Sequence, residues 1–118
     1  EDIPATVQIT TYDEPSYTGL VRTAQEAHPA WALDRAHPLV EALQQTIQAV
    51  RGSTAEIGHW PFSTDGVYTM GQAGIPTAGF GPGDPNLAHT PGEAVRLEDL
   101  KTAAHVYAAL AARLLLAE

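Results

Sequence analysis

Apolar residues recur at helical spacing in two parts of the chain. The first predicted helix begins at Pro38, a favoured first helical residue, and ends at Gly52, a favoured C-cap. Its regularly spaced apolar residues are Leu39, Leu43, Ile47 and Val50. The second predicted helix runs from about Leu97 to Leu116. The residues predicted to form its buried face are Leu97, Leu100, Ala104, Tyr107, Ala111 and Leu114.

Shorter patterns fill the rest of the chain. Runs rich in β-favouring residues predict strands at 7–12, 54–60 and 75–80. A short helix is expected at 20–27, ending before His28-Pro29 because a residue that precedes proline avoids the α region. Another is expected from the capping residues Ser63-Thr64-Asp65 to about Ala73.

The order strand, helix, strand, helix predicts parallel α/β packing. Ligands of such sheets bind beyond the carboxyl ends of the strands. Two loops, 61–66 and 81–93, are expected there, and both are rich in glycine and polar residues. The sequence therefore predicts that these two loops form one site.

Composition excludes several classes of function. The chain has 118 residues and a net charge of −8, which disfavours nucleic acid as a partner. Arg113 interrupts the longest apolar run, so no membrane association is expected. No basic region precedes an apolar stretch at the N-terminus, so we expect no secretory signal and a cytoplasmic location.

With no cysteine, a metal would be held by histidine and carboxylates, which favours a catalytic over a structural zinc site.

His89 is the candidate metal ligand, on a loop constrained by Pro91 and several glycines. The spacing alone is more typical of a solvent-exposed loop histidine or one that makes a hydrogen bond in a turn, and a lone histidine does not settle the choice. The other histidines, expected to be structural, packed or exposed, are His28, His37, His59 and His105.

The loop 61–66 carries three side-chain oxygens at a predicted helix N-terminus, on Ser63, Thr64 and Asp65. Free backbone N–H groups there could receive a carboxylate or an oxyanion. Ordinary N-capping by one of the three side chains accounts for the pattern equally well. The two interpretations are compatible, since one residue can cap while its neighbours bind.

The segment 62–93 (F-S-T-D-G-V-Y-T-M-G-Q-A-G-I-P-T-A-G-F-G-P-G-D-P-N-L-A-H-T-P-G-E) closely resembles the end of the catalytic domain in M20 metallohydrolases. This family includes aminoacylases, desuccinylases, deacetylases and carboxypeptidases. The motifs F-S-T-D-G and G-F-G-P-G-D are most similar to those of the branch called selenium-metabolism hydrolases or generic peptidases. Desuccinylases have arginine after S-D-G where Val67 stands here, which argues against that substrate.

The resemblance implies a role for each matching residue. The histidine of A-H-T-P-x-E is the family's last metal ligand, which falls on His89. The implied substrate-binding residues are Ser63, Thr64, Asp65, Gly66, Gly81 and Gly83. No catalytic residue is expected in this chain, because the family's general-base glutamate, its H-x-D motif and its other acidic ligands come earlier in the full sequence.

The resemblance also implies the fold and the domain organisation. The expected fold class is α/β: part of a three-layer parallel sheet with flanking helices, like that of zinc exopeptidases, plus the last strand of an inserted lid domain. Residues 1–36 would end the lid or dimerisation domain and return the chain, and 37–118 would form the C-terminal part of the catalytic domain.

The implied activity is amide hydrolysis of an N-acyl amino acid or small peptide by two divalent metals, zinc first, with cobalt or manganese as alternatives. One histidine cannot hold a catalytic zinc, so we expect the isolated chain to be inactive and to bind metal weakly or not at all. Open sheet edges and bare helix faces favour a homo-oligomer such as a dimer. A non-catalytic folding or oligomerisation module is the alternative.

Overall fold

The computed structural model describes residues 4–116, so the outermost residues of both expected domains lie outside the described part of the chain. Two antiparallel strands, β1 (Thr11–Tyr12) and β2 (Ala24–Gln25), come first. The helices α1 (Pro38–Arg51) and α2 (Leu97–Leu115) follow. Between them lie a π-helix, Val67–Gln72, and a 3-10 turn, Pro85–Leu87. The fold of these residues is therefore small and mixed.

The N-terminal part is a β-hairpin. Thr11 pairs with Gln25, and the Glu26 N–H donates to the Thr10 carbonyl at 2.9 Å. A tight turn closes the hairpin, where Gly19 has a φ of +80°, a conformation that other residues rarely adopt. The helix expected at 20–27 is therefore wrong, because this segment pairs back on the preceding strand. The strand expected at 7–12 is confirmed only at its end.

The boundaries predicted for α1 are confirmed. Pro38 occupies the first turn, and Gly52 ends the helix at φ +73° with its N–H bonded to the Gln48 carbonyl. The imidazole Nδ1 of His37 accepts from the Leu39 N–H at 3.1 Å, so this histidine is the N-cap. The expectation that His37 is structural did not include this role.

The core lies where α1 packs on α2. Its buried side chains are Leu43, Ile47 and Val106, with Val50, Ala55, Ala78, Phe80 and Leu110 against them. On α2 the buried residues are Ala103 and Val106. The face predicted for this helix is wrong, since Leu97 is 73% exposed and Leu114 is 48% exposed. Small residues allow α2 to approach α1, and the larger side chains of the predicted face point elsewhere.

The segments 54–60 and 75–80 are not strands among the described residues. A strand needs a neighbouring strand to which its backbone is hydrogen-bonded. In these two segments, side chains donate to backbone carbonyls instead. Gln44 Nε2 donates to the Ala55 carbonyl at 3.1 Å, and Tyr107 Oη donates to that of Phe80. The predicted parallel pairing is thus not formed in residues 4–116, where the sheet is antiparallel. In the same range, no helix is both long and apolar enough to cross a bilayer.

Candidate functional site

The two loops selected from the sequence meet in the structure. The His89 ring stands edge-on to Phe62, with centroids 6.5 Å apart and an interplanar angle of 89°. Phe62 stacks on Trp60 at 5.7 Å and 12°. Phe62 immediately precedes Ser63 in the sequence, so His89 packs against the residue that leads into the S-T-D-G turn (63–66).

Successive tight turns build the His89 loop. Asp84 Oδ1 accepts from the Asn86 N–H at 2.9 Å and begins the 3-10 turn. The Thr90 N–H and hydroxyl both donate to the Leu87 carbonyl, at 3.1 and 2.8 Å. These hydrogen bonds restrict the backbone of the loop and so fix the positions from which its exposed side chains extend.

His89 itself has a left-handed backbone, with φ +62°. Among the described residues it is the one non-glycine residue with positive φ. Its N–H donates to Oε2 of Glu93 at 3.1 Å, while its ring remains exposed to solvent. Sequence reasoning did not single out Glu93, although its place four residues after the histidine was visible.

The backbone N–H groups of residues 66–69, which follow the S-T-D turn residues, donate within the same segment. The Gly66 N–H donates to the Thr64 hydroxyl at 3.2 Å. The Val67 N–H donates to the Thr64 carbonyl, and those of Tyr68 and Thr69 donate to the Asp65 carbonyl, all at 3.0–3.2 Å. The N–H groups at the start of this helix are therefore occupied, while the side chains of Ser63 and Asp65 are exposed.

Gly66 and Val67 are buried, and Val67 is only 5% exposed. A Cβ at Gly66 would overlap the indole of Trp31. Gly79 is covered by Trp60 in the same way. These glycines have a packing role that the sequence did not reveal, because Trp31 lies far from Gly66 along the chain.

A cavity of about 860 Å³ adjoins the S-T-D-G turn. Its rim includes Ser63, Thr64 and Gly81, three of the predicted substrate-binding residues. Asp65 and Gly66 line a neighbouring space of about 300 Å³. Neither cavity is lined by His89 or Gly83, so the predicted residues lie around one region without enclosing a common pocket.

Metal ligands are sparse in the part of the chain that the structure describes. No group of three or more His, Cys, Asp or Glu residues there could hold a metal ion. His89 fits the role of a single contributed ligand, with an exposed imidazole on a fixed loop. A catalytic zinc site needs about three protein ligands, so the others would have to come from elsewhere.

Comparison with known proteins shows the family to which the chain belongs. The family model "Peptidase family M20/M25/M40" matches residues 10–113, and the chain belongs to that family. The uncharacterized protein YgeY of Escherichia coli K12 is 41% identical over 106 residues, which cover 90% of this chain and 26% of that protein. YgeY of Escherichia coli O157:H7 matches equally well. No solved structure matches.

The family as a whole has a general chemistry. Members are metal-dependent peptidases and hydrolases, often with zinc. The chain spans about a quarter of the length of the curated relatives it matches, 26% in each case.

Proposed function

We propose that this chain is the C-terminal segment of a metal-dependent amidohydrolase that cleaves an N-acyl amino acid or small peptide. Residues 1–36 belong to the lid domain in this proposal, and 37–118 complete the catalytic α/β domain with its three-layer parallel sheet. The observation that supports it is the edge-on pair of the His89 and Phe62 rings, because Phe62 is the residue that precedes the S-T-D-G turn. The match over residues 10–113 supports it.

His89 supplies one ligand to a site for two divalent metals, zinc first, and the general-base glutamate lies in another part of the polypeptide. When bound, such metals lower the pKa of a shared water and polarise the amide carbonyl. The His89 loop contributes a donor whose backbone is already ordered by hydrogen bonds. The loop therefore loses less conformational freedom when a metal binds to His89.

Substrate would be held around the S-T-D-G turn. The exposed Ser63 and Asp65 side chains offer a hydroxyl and a carboxylate, and Gly81 lines the adjoining cavity without a side chain, with Gly83 two residues further along the loop. Val67 is buried behind the turn, where the desuccinylase pattern has arginine. A cationic contact to a succinyl carboxylate is therefore missing at this position, and the proposal favours an uncharged acyl group.

A His89→Ala variant tests the proposal in the polypeptide that carries this segment, at its full length. His105→Ala is the matched control, because His105 is an exposed histidine on α2. Metal analysis should give about two zinc ions per chain for the parent and control, and about one for His89→Ala, with amide hydrolysis lost. Unchanged metal content and activity in His89→Ala would refute the proposal.

Oligomerisation is a second candidate function, supported by apolar side chains on the surface. Leu97 is 73% exposed and Leu115 is 78% exposed, both on α2. Exposed apolar surface of this kind favours association. Gel filtration with light scattering should then give at least a dimer, whereas a monomer across a wide concentration range would exclude this candidate.

A further inference from the structure

The backbone of His89 has an uncommon conformation. A φ of +62° is unfavourable for most residues with a Cβ, although asparagine, aspartate and histidine adopt it more often than the others. Such a conformation persists where the surroundings enforce it. The direction of the imidazole depends on this backbone angle, because the Cα–Cβ bond turns with it.

Glu93 provides the enforcing contact. Its Oε2 accepts the His89 N–H at 3.1 Å, and its own N–H donates to the Thr90 carbonyl at 3.1 Å. These two bonds close the turn from both ends. A hydrogen bond from N–H to a charged carboxylate is stronger than one to a neutral acceptor.

The imidazole is also held from the side of its ring. Phe62 meets it edge-on, and Trp60 stacks behind Phe62. Aromatic pairs prefer this perpendicular arrangement at such a separation. Glu93 thus acts on the backbone of His89, and Phe62 acts on its ring.

We propose that Glu93 is a positioning residue for His89: its carboxylate fixes the left-handed backbone that directs the imidazole to Phe62. The proposal deepens the function proposed above and rests on it only where metal affinity is concerned. This role requires an oxygen acceptor at position 93 and does not require a negative charge. Glutamine at this position should therefore keep His89 in place, and alanine should not.

Three variants of the full-length polypeptide that carries this segment separate these possibilities: Glu93→Ala, Glu93→Gln and Glu14→Ala. Glu14 is an exposed glutamate in the hairpin and serves as the matched control. The first readout is metal-free. In histidine- and phenylalanine-labelled protein, nuclear Overhauser effects between the His89 and Phe62 rings should vanish in Glu93→Ala and persist in the other two.

The second readout is cobalt affinity, measured by competition with a chelator and followed by the visible spectrum of the bound ion. Glu93→Ala should weaken binding by about 10- to 100-fold, as removal of a ligand-orienting partner does. Glu93→Gln should stay within about threefold of the parent, because the acceptor is retained. His89→Ala gives the reference for loss of the ligand itself.

The outcomes are distinguishable. If His89→Ala leaves cobalt affinity unchanged, the proposed function fails, and the ring contacts still decide whether Glu93 positions His89. If Glu93→Ala keeps the ring contacts, the positioning role is overturned. If Glu93→Gln keeps them but loses cobalt as His89→Ala does, Glu93 is itself a ligand and the proposal is equally wrong. Unchanged helical circular dichroism in every variant excludes unfolding as the cause.

Discussion

Gly66→Ala should destabilise the chain through one contact, that between residue 66 and the indole of Trp31. The backbone of Gly66 is right-handed helical, with φ −57° and ψ −22°, so alanine fits it without strain. The new Cβ would overlap the ring of Trp31, which must then move. The substitution therefore adds a steric conflict without adding a backbone conflict.

The magnitude follows from two opposing effects. Replacing glycine by alanine at a compatible backbone stabilises by about 0.4–1 kcal/mol, because the unfolded chain loses freedom. Forcing an extra carbon into a filled space costs about 1–3 kcal/mol. We expect the free energy of unfolding of Gly66→Ala to fall by about 1 kcal/mol. In a Trp31→Ala background the same change should raise it by about 0.4–1 kcal/mol.

Urea denaturation followed by far-UV circular dichroism measures both, since this signal does not depend on the tryptophan removed. The coupling energy between residues 66 and 31, which is the difference between these two effects, should be about 1.4–2 kcal/mol. Gly58→Ala is the control, because a Cβ at Gly58 meets nothing within 4 Å. A coupling energy below about 0.5 kcal/mol would refute the packing role assigned to Gly66.

Three further predictions concern the helices and the metal. Gly52→Ala should lower the free energy of unfolding by about 1 kcal/mol, because Gly52 ends α1 at φ +73°; if it behaves like the Gly58→Ala control in the same assay, the cap assignment is wrong. Tyr107→Phe should lower the free energy of unfolding by about 0.5–1.5 kcal/mol through loss of the hydrogen bond to the Phe80 carbonyl. A variant that is as stable as the parent in urea would contradict that bond. Isothermal titration of the isolated 118-residue chain with zinc should detect no site of micromolar or tighter affinity, because one histidine cannot form a catalytic site; tight binding would show that the site is complete without other segments.

Local signals in the sequence were enough to predict α1. Proline at the first turn and glycine past the end act through their own backbone preferences, so the boundaries at Pro38 and Gly52 do not depend on distant residues. The segment 20–27 had no such signal, and its pairing with Thr11–Tyr12 is a long-range contact. Periodicity alone does not report such a partner.

The face of α2 was predicted from side-chain size and hydrophobicity, and packing selected differently. Ala103 and Val106 are 3% and 0% exposed, because a close helix–helix contact favours small side chains. The predicted face contains Leu97 and Tyr107, which are 73% and 49% exposed. Amphipathic pattern locates a helix more reliably than it locates the buried side of that helix.

At the candidate site, the sequence predicted that the two loops lie together, and the contact of Phe62 with His89 agrees. The predicted ligand and substrate roles themselves stay predictions. The bond from His89 to Glu93 and the cover of Trp31 on Gly66 were not predictable, since each depends on backbone geometry or on a contact between distant segments.

Anomalous diffraction at the zinc edge, from crystals of the full-length polypeptide that carries this segment, tests the assignment of His89 most directly. The account predicts a zinc peak about 2.0–2.1 Å from an imidazole nitrogen of His89, with the remaining ligands from outside residues 4–116. A fully occupied zinc site that leaves the His89 ring without a metal contact would contradict it.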